Sequence, residues 1–249
     1  MDSDVYNQIY EYERKHWWSR GMSALCNDLI NKHVPASGAA SRVILDVGCG
    51  TGLWAQQLLG RGRVIAMDNA TESLDICRRR GLRNIVKCDA ESLAIAGYSC
   101  DLVTALGVAE HLDDDAALLR EIARVLKSGG YAVFLTSAYM FLWSEHDEAA
   151  HHKRRYTREQ LKTAVSGSGL EVVRISYVNF FLFLPILVAR LLKSLAGRRG
   201  APSKGSPDIF LPPPFLNGLL YAVLRFESWL LNFSDLPFGV GLFAVVRKK

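Results

Sequence analysis

The sequence has no pair of cysteines spaced for a redox motif or a zinc clip. Its five cysteines, Cys26, Cys49, Cys77, Cys88 and Cys100, are scattered and odd in number, which argues against a disulfide framework and for reduced thiols in the cytoplasm. No apolar run is long enough to cross a bilayer comfortably: the most hydrophobic stretch, Phe180–Ala189, is followed at once by Arg190 and Lys193. The first residues show no basic segment followed by an apolar one, so no signal peptide is expected. No basic run is interleaved with aromatics, and a net charge of +5 is too mild to argue for nucleic acid. Hydrophobic residues make up 49% and charged ones 22%, which excludes wholesale disorder. The mildly basic balance suits an acidic small molecule or an anionic membrane surface.

What is there is a rhythm. Short apolar runs bounded by turn residues recur at 42–46, 64–68, 85–89, 101–106 and 131–137, and helical patterns follow at 53–59, 71–80 and 114–126. Strands alternating with helices give parallel βαβ units with helices on both faces. Lys127-Ser-Gly-Gly130 reads as a turn before the fifth strand. Thr157 and Gln160 form a capping-box pattern that opens a helix over 157–166. Two further strands are expected at 171–177 and 241–247. The fold class is therefore α/β, a doubly wound, mostly parallel sheet with a helical extension at 1–41. The core runs over 42–178, an apolar helical insertion over 179–237, and the last strand over 238–249.

In such a sheet, ligands bind beyond the carboxyl ends of the strands. Asp46, Asp68 and Asp89 sit at or beside three of those ends. The turn Gly48-Cys49-Gly50-Thr51-Gly52 permits tight backbone geometry and close ligand approach, and its amides suit a carboxylate. Asp46 suits an amino group, directly or through water. Asp68 suits both hydroxyls of a ribose, and Asp89, with Ala90, an adenine amino group. Together these groups make up S-adenosylmethionine (SAM). A lone glycine turn is a weak signal; the ordered series is a strong one.

Val43-Ile-Leu-Asp-Val-Gly-Cys-Gly-Thr-Gly52 resembles the first motif of class I SAM-dependent methyltransferases. Ile65-Ala-Met-Asp68, Cys88-Asp-Ala90, Asp101–Leu106 with Glu110-His111, and Leu126-Lys-Ser-Gly-Gly130 resemble the later motifs in order and spacing. The resemblance implies a seven-stranded sheet with an antiparallel seventh strand. It also implies cofactor contacts at Asn69, Leu106 and Gly107. His16-Trp-Trp18, His151-His-Lys-Arg-Arg-Tyr-Thr157 and Leu236-Pro-Phe-Gly239 are similar to a bacterial subgroup associated with surface-glycan and lipid gene clusters. That subgroup implies a contact from Trp18 and an arginine shortly after the Trp pair. Met22 stands at that place, and Arg20 is the candidate substitute.

On the acceptor side, a base is needed only if the nucleophile must lose a proton. His111 reads either as a proton acceptor or cofactor contact, or as a structural hydrogen bond at a helix start. The segment 145–156 reads as an acceptor-binding loop or as a solvated charged face. Within it His146 or His151 is the candidate base, Arg155 the candidate anion contact, and Tyr156 a further catalytic candidate. Its spacing fits no standard ligand pattern, so no metal is expected. His16, Trp17 and Trp18 read as a lid or as ordinary packing. The insertion reads as a membrane-interface element over 179–231, with Arg190, Lys193, Arg198 and Arg199 near headgroups, as a cap over a lipid-like acceptor, or as two core helices.

The function expected is methyl transfer to oxygen or nitrogen of a small or lipid-linked acceptor, anionic or neutral, in the cytoplasm or on the inner membrane face. The rival readings are a nicotinamide-dependent oxidoreductase and a non-catalytic, membrane-associated scaffold of the same fold.

Overall fold

A computed structural model describes residues 3–35, 41–195 and 211–249. Parts of the loops expected at 35–41 and 200–214, and Arg198 and Arg199, lie outside these residues. Seven strands form one sheet in the order β3-β2-β1-β4-β5-β7-β6. They are β1 (Val43–Val47), β2 (Arg63–Asp68), β3 (Ile85–Lys87), β4 (Cys100–Leu106), β5 (Leu126–Ser137), β6 (Leu170–Val178) and β7 (Gly241–Lys248). The first five pair in parallel. β7 runs antiparallel between β5 and β6, as the resemblance implies. The central strands are buried on both faces: Leu45, Leu102, Val133, Phe134 and Phe243 are at most 2% exposed.

The reversal of strand order lies between β1 and β4, where neighbouring crossovers leave in opposite directions and open a crevice. Asp46 pairs with Ala66 of β2 on one side and Thr104 of β4 on the other, so its carboxylate sits at the root of that crevice.

The core helices are α3 (Leu53–Leu58), α4 (Thr71–Arg79), α5 (Asp115–Val125), α6 (Glu145–Ala149) and α7 (Arg158–Ser166). The Thr157–Gln160 capping box is formed at the start of α7. One expectation is corrected: Lys127–Gly130 is no separate turn but lies within β5. Gly129 adopts a φ of +76°, and the β4–β5 ladder absorbs the extra residues as an irregularity between Cys100 and Leu102.

The extension forms α1 (Ser3–Tyr12) and α2 (Trp17–His33). The insertion forms α8 (Phe180–Leu195) and α9 (Pro214–Leu230). α9 packs along α2 at Gly21, where a Cβ would lie 2.9 Å from the Cβ of Leu224. That atom is next to the backbone and cannot swing away. Gly21→Ala is therefore expected to destabilise the protein by about 1–2 kcal/mol, overpacking outweighing the gain in helix propensity. Thermal unfolding checks it, and an unchanged midpoint would show that α9 sits loosely. Glu227 of α9, fully buried, accepts from the backbone N–H of Asn179 at 2.5 Å and of Phe180 at 2.7 Å. It satisfies donors at the start of α8 that no helical carbonyl reaches.

Candidate active site

A cleft of about 570 Å³ opens at the carboxyl edge of the sheet. Its floor is the glycine turn after β1. Gly48, Gly50 and Gly52 have φ of +64°, +52° and +77°, a region that favours glycine. A Cβ on Gly50, or on Gly107 after β4, would meet no protein atom within 4 Å. A Cβ on Gly48 would strike Val108 Cγ2 at 2.6 Å.

The turn is held by Asp68 at the end of β2. Its Oδ2 accepts from Gly50 N–H and its Oδ1 from Ala70 N–H, both at 2.9 Å. Asp68, Asn69, Asp89, Ala90, Leu106 and Gly107 all line the cleft, as do Gly48, Cys49 and Gly50. Asp89 is exposed, with one oxygen on the Glu91 N–H at 2.9 Å. Gly52 does not line it; it begins α3 and packs on Cys77 and Leu82. The Cys49 thiol is kept protonated by its contact with Cys77 and then by burial, so it is a small neutral residue of the turn.

Asp46 lies beneath the cleft surface, 2% exposed and outside its lining. This corrects the expectation of a direct grip on an amino group. Oδ1 accepts from Thr104 Oγ1 at 2.6 Å, and Oδ2 is buried without a partner. Burial above all, helped by the charge of Asp68 and opposed by the Thr104 hydroxyl, raises its pKa to about 7.

The roof comes from α1 and α2, which supply Ile9, Trp18, Ser19, Met22, Ser23 and Cys26. Glu13, between them, faces the cleft and pairs with buried Arg80, and its Oε2 accepts from Thr51 Oγ1 at 2.6 Å. Nothing in the sequence pointed to Glu13, because its partners lie 38 and 67 residues away. Arg20 does not replace the expected arginine: its guanidinium lies 4.2 Å over the Tyr221 ring on α9, while Met22 lines the cleft.

His111, Leu112, Leu135, Ala150 and His151 also line the cleft. His111 closes a 3₁₀ turn, Ala109–His111, after β4. Burial lowers its pKa, against the charge of Glu110. It is hydrogen-bonded to the backbone of Ala150 and packs edge-on against His152 at 4.7 Å. His152 Nδ1 meets Asp147 Oδ1 at 2.9 Å. His151 has a φ of +56°, a conformation uncommon for a non-glycine residue that puts it at the cleft mouth.

Three further expectations are corrected. Arg155 is buried and bidentate on Asp147 at 2.8 and 2.9 Å, with a third bond to the Ala138 carbonyl, so it has no reach to an anion in the cleft. Tyr156 is buried and donates to Asp115 Oδ2 at 2.6 Å, tying the loop to α5. His146 is exposed, outside the cleft lining, 6.1 Å from the His152 ring. Among the described residues no cluster could hold a metal ion.

The residues fit SAM on three counts. The glycine cradle leaves room where a Cβ would intrude. Asp68 and Asp89 line the same cleft and suit ribose hydroxyls and an adenine amino group. The Asp46 Oδ2 atom is buried without a partner beneath the cleft, where a cation would satisfy it. Residues 45–134 match the model of the methyltransferase domain family. Fold, cleft and match make residues 45–134 similar to the methyltransferase domains of class I, SAM-dependent enzymes.

Among particular proteins, the ubiquinone biosynthesis O-methyltransferase of Xylella fastidiosa is 36% identical over 110 residues, 41% of this chain and 44% of that one. A possible histamine N-methyltransferase from Thermotoga maritima shares the fold with a TM-score of 0.59 at 19% identity, over 98% of both chains. A phosphoethanolamine N-methyltransferase of Haemonchus contortus, solved with SAM, gives 0.57 at 18%, over 89% of this chain and 52% of that one. The chain spans 44% of the length of the Xylella relative and 62% of that from Chromobacterium violaceum.

Proposed function

We propose that this protein transfers a methyl group from SAM to an oxygen of a small, lipid-linked acceptor at the inner face of a membrane. The observation that carries the first half is the clasp of Asp68 on Gly50, which sets a glycine cradle and a carboxylate around one cleft. The curated relatives named as O-methyltransferases support oxygen over nitrogen. The cationic loop no longer argues for an anionic acceptor, since Lys153, Arg154 and Arg155 are each paired with an aspartate.

SAM supplies an electrophilic methyl group on a sulfonium. The residues do the positioning, which accounts for much of the acceleration available to such a displacement. Asp68 holds the ribose and Asp89 the adenine amino group. The turn amides face the carboxylate. Asp46 acts on the cationic end through water and through its charge. Helices α1 and α2, with Trp18 and Met22, form a lid that excludes water. His111 takes the proton of the acceptor hydroxyl.

Asp46 gives this reading a pH signature. Its pKa is raised, so its neutral form favours folding below about 3.8, and that stability is lost as pH rises through 7. A cation above it favours the carboxylate. SAM affinity is therefore expected to rise roughly ten-fold from pH 6 to 7.5, and Asp46→Asn to flatten the profile. Calorimetric titration checks both, and a flat wild-type profile would remove Asp46 from the site.

The function itself is tested by titrating SAM, its demethylated product and NADH. Incubation with labelled SAM and a host lipid extract, read by mass, then identifies the acceptor. Binding of NADH but not SAM would overturn the proposal.

A further inference from the structure

Among the described residues, the most apolar exposed surface lies away from the cleft. Eleven of the seventeen exposed large hydrophobic residues among those described fall between Phe181 and Phe233. On α8, Phe181, Leu184, Val188 and Leu191 recur at helical spacing along one side. On α9 and just beyond it, Phe215, Leu219, Phe226, Trp229 and Phe233 do the same. The two stripes are one surface: Phe181 meets Phe226 at 5.7 Å, Phe226 stacks on Trp229 at 5.6 Å, and Trp229 meets Phe233 at 5.0 Å. At its other side Phe183 of α8 meets Phe141 at 6.3 Å. Phe141 and Met140 are exposed in the segment between β5 and the cleft-lining residues Ala150 and His151.

We infer that this α8–α9 face docks on an anionic lipid bilayer, lying in its surface with the acceptor loop against it. The inference rests on the lipid-linked acceptor proposed above. α8, at 16 residues, is about 24 Å long, short of the roughly 30 Å hydrocarbon core. Among the described residues no helix is long and apolar enough to cross a membrane. An apolar stripe of Phe, Leu and Trp beside cationic groups is the pattern of an in-plane helix.

The charge is complementary to anionic lipid. By sequence, residues 179–237 hold six arginines and lysines against three acids; Arg198, Arg199, Lys204 and Asp208 lie outside the described residues, and Glu227 is consumed as a buried cap. At the rim beside Trp229 lies a cavity of about 410 Å³ lined by Lys32, Arg225, Asn31, Asn232 and Asp28. Lys32 and Arg225 offer cations to a lipid phosphate there, though Arg225 is shared with Asp28 at 2.7 Å.

The same helix is tied to the roof of the cleft. The Asn217 side chain of α9 accepts from Trp17 N–H at 2.9 Å and donates to the Lys15 carbonyl at 3.0 Å. A docked α9 thus holds the α1–α2 turn in register with the bilayer surface.

The test is sedimentation of the full chain with vesicles of phosphatidylcholine alone and with added phosphatidylglycerol. Binding is expected to the second, weakened by salt and not displaced by inorganic phosphate. Replacing Phe215, Trp229 and Phe233 with serine is expected to weaken it by roughly ten-fold per ring, with SAM affinity unchanged. Quenching of tryptophan fluorescence by brominated lipid is expected to fall in Trp229→Phe. Lys32→Glu is expected to reduce the preference for anionic lipid. The inference is overturned if the wild type binds SAM but neither vesicle, if free phosphate displaces it, or if light scattering shows a dimer that the triple substitution dissolves. Failure to bind SAM would instead defeat the methyl-transfer reading and leave the vesicle result standing.

Discussion

Asp68→Asn is expected to weaken SAM binding by about a hundred-fold and to lower the melting temperature of the free protein. Both carboxylate oxygens accept from backbone N–H groups, at Gly50 and Ala70. Such charge-assisted bonds are worth roughly 1.5–3 kcal/mol each. An asparagine turns an NH₂ group toward one of the two donors, so one bond becomes a repulsion. If the NH₂ faces Gly50, the turn loses the contact that sets its φ of +52°; if it faces Ala70, the entry to α4 loosens. In either case the ribose hydroxyls lose a charged acceptor.

Asp89→Asn is the comparison. Asp89 is exposed and holds only the Glu91 N–H, so its loss is expected to cost no more than about ten-fold. Calorimetry on the two variants separates a clasp from a contact. Equal losses would mean that Asp68 does nothing for the cradle beyond meeting the ligand.

Much of this was legible in the sequence because it is local. The runs Val43–Leu45 and Val64–Met67 are continuous apolar stretches of the kind that a buried parallel sheet requires. The acids at their ends sit at fixed offsets from the glycine turn. Asp68, Asn69, Asp89, Ala90, Leu106 and Gly107 all reach one cleft. The antiparallel seventh strand came from the resemblance.

The acceptor loop was not legible, because charge type says nothing of pairing. Lys153, Arg154 and Arg155 look alike in a string of letters. In the fold the first is an exposed ion pair with Asp113, the second a half-buried pair with Asp115, and the third a buried fork on Asp147. Arg20 failed for the same reason: a helical residue next to a tryptophan pair turns outward onto Tyr221, 201 positions on. Glu13 was invisible because its significance lies in Arg80 and Thr51.

The remaining question of chemistry concerns His111, whose two readings differ in a measurable way. Replacing it with asparagine is expected to lower kcat by about a hundred- to a thousand-fold, the usual range for a lost general base, while leaving SAM affinity within a few-fold. Asparagine can keep a hydrogen bond to the backbone of Ala150, so a residue that only braces the turn would survive the change.

The pH profile supplies the second readout. Burial lowers the pKa of His111 below 6.5, and neighbouring His152 pushes it the same way. The ring is therefore neutral and able to accept a proton at neutral pH. The acid limb of kcat is expected below pH 6.5 in the wild type and absent in His111→Asn. The same lowered pKa favours the folded state above pH 6.5, and that contribution is lost as pH falls through the folded pKa.

His151→Asn, at the cleft mouth with its φ of +56°, is expected to raise KM more than it lowers kcat, because asparagine tolerates that backbone and loses only a contact. If His151→Asn instead erases the acid limb while His111→Asn leaves it in place, the proton goes to the mouth of the cleft. His111 is then a brace held between Ala150 and His152.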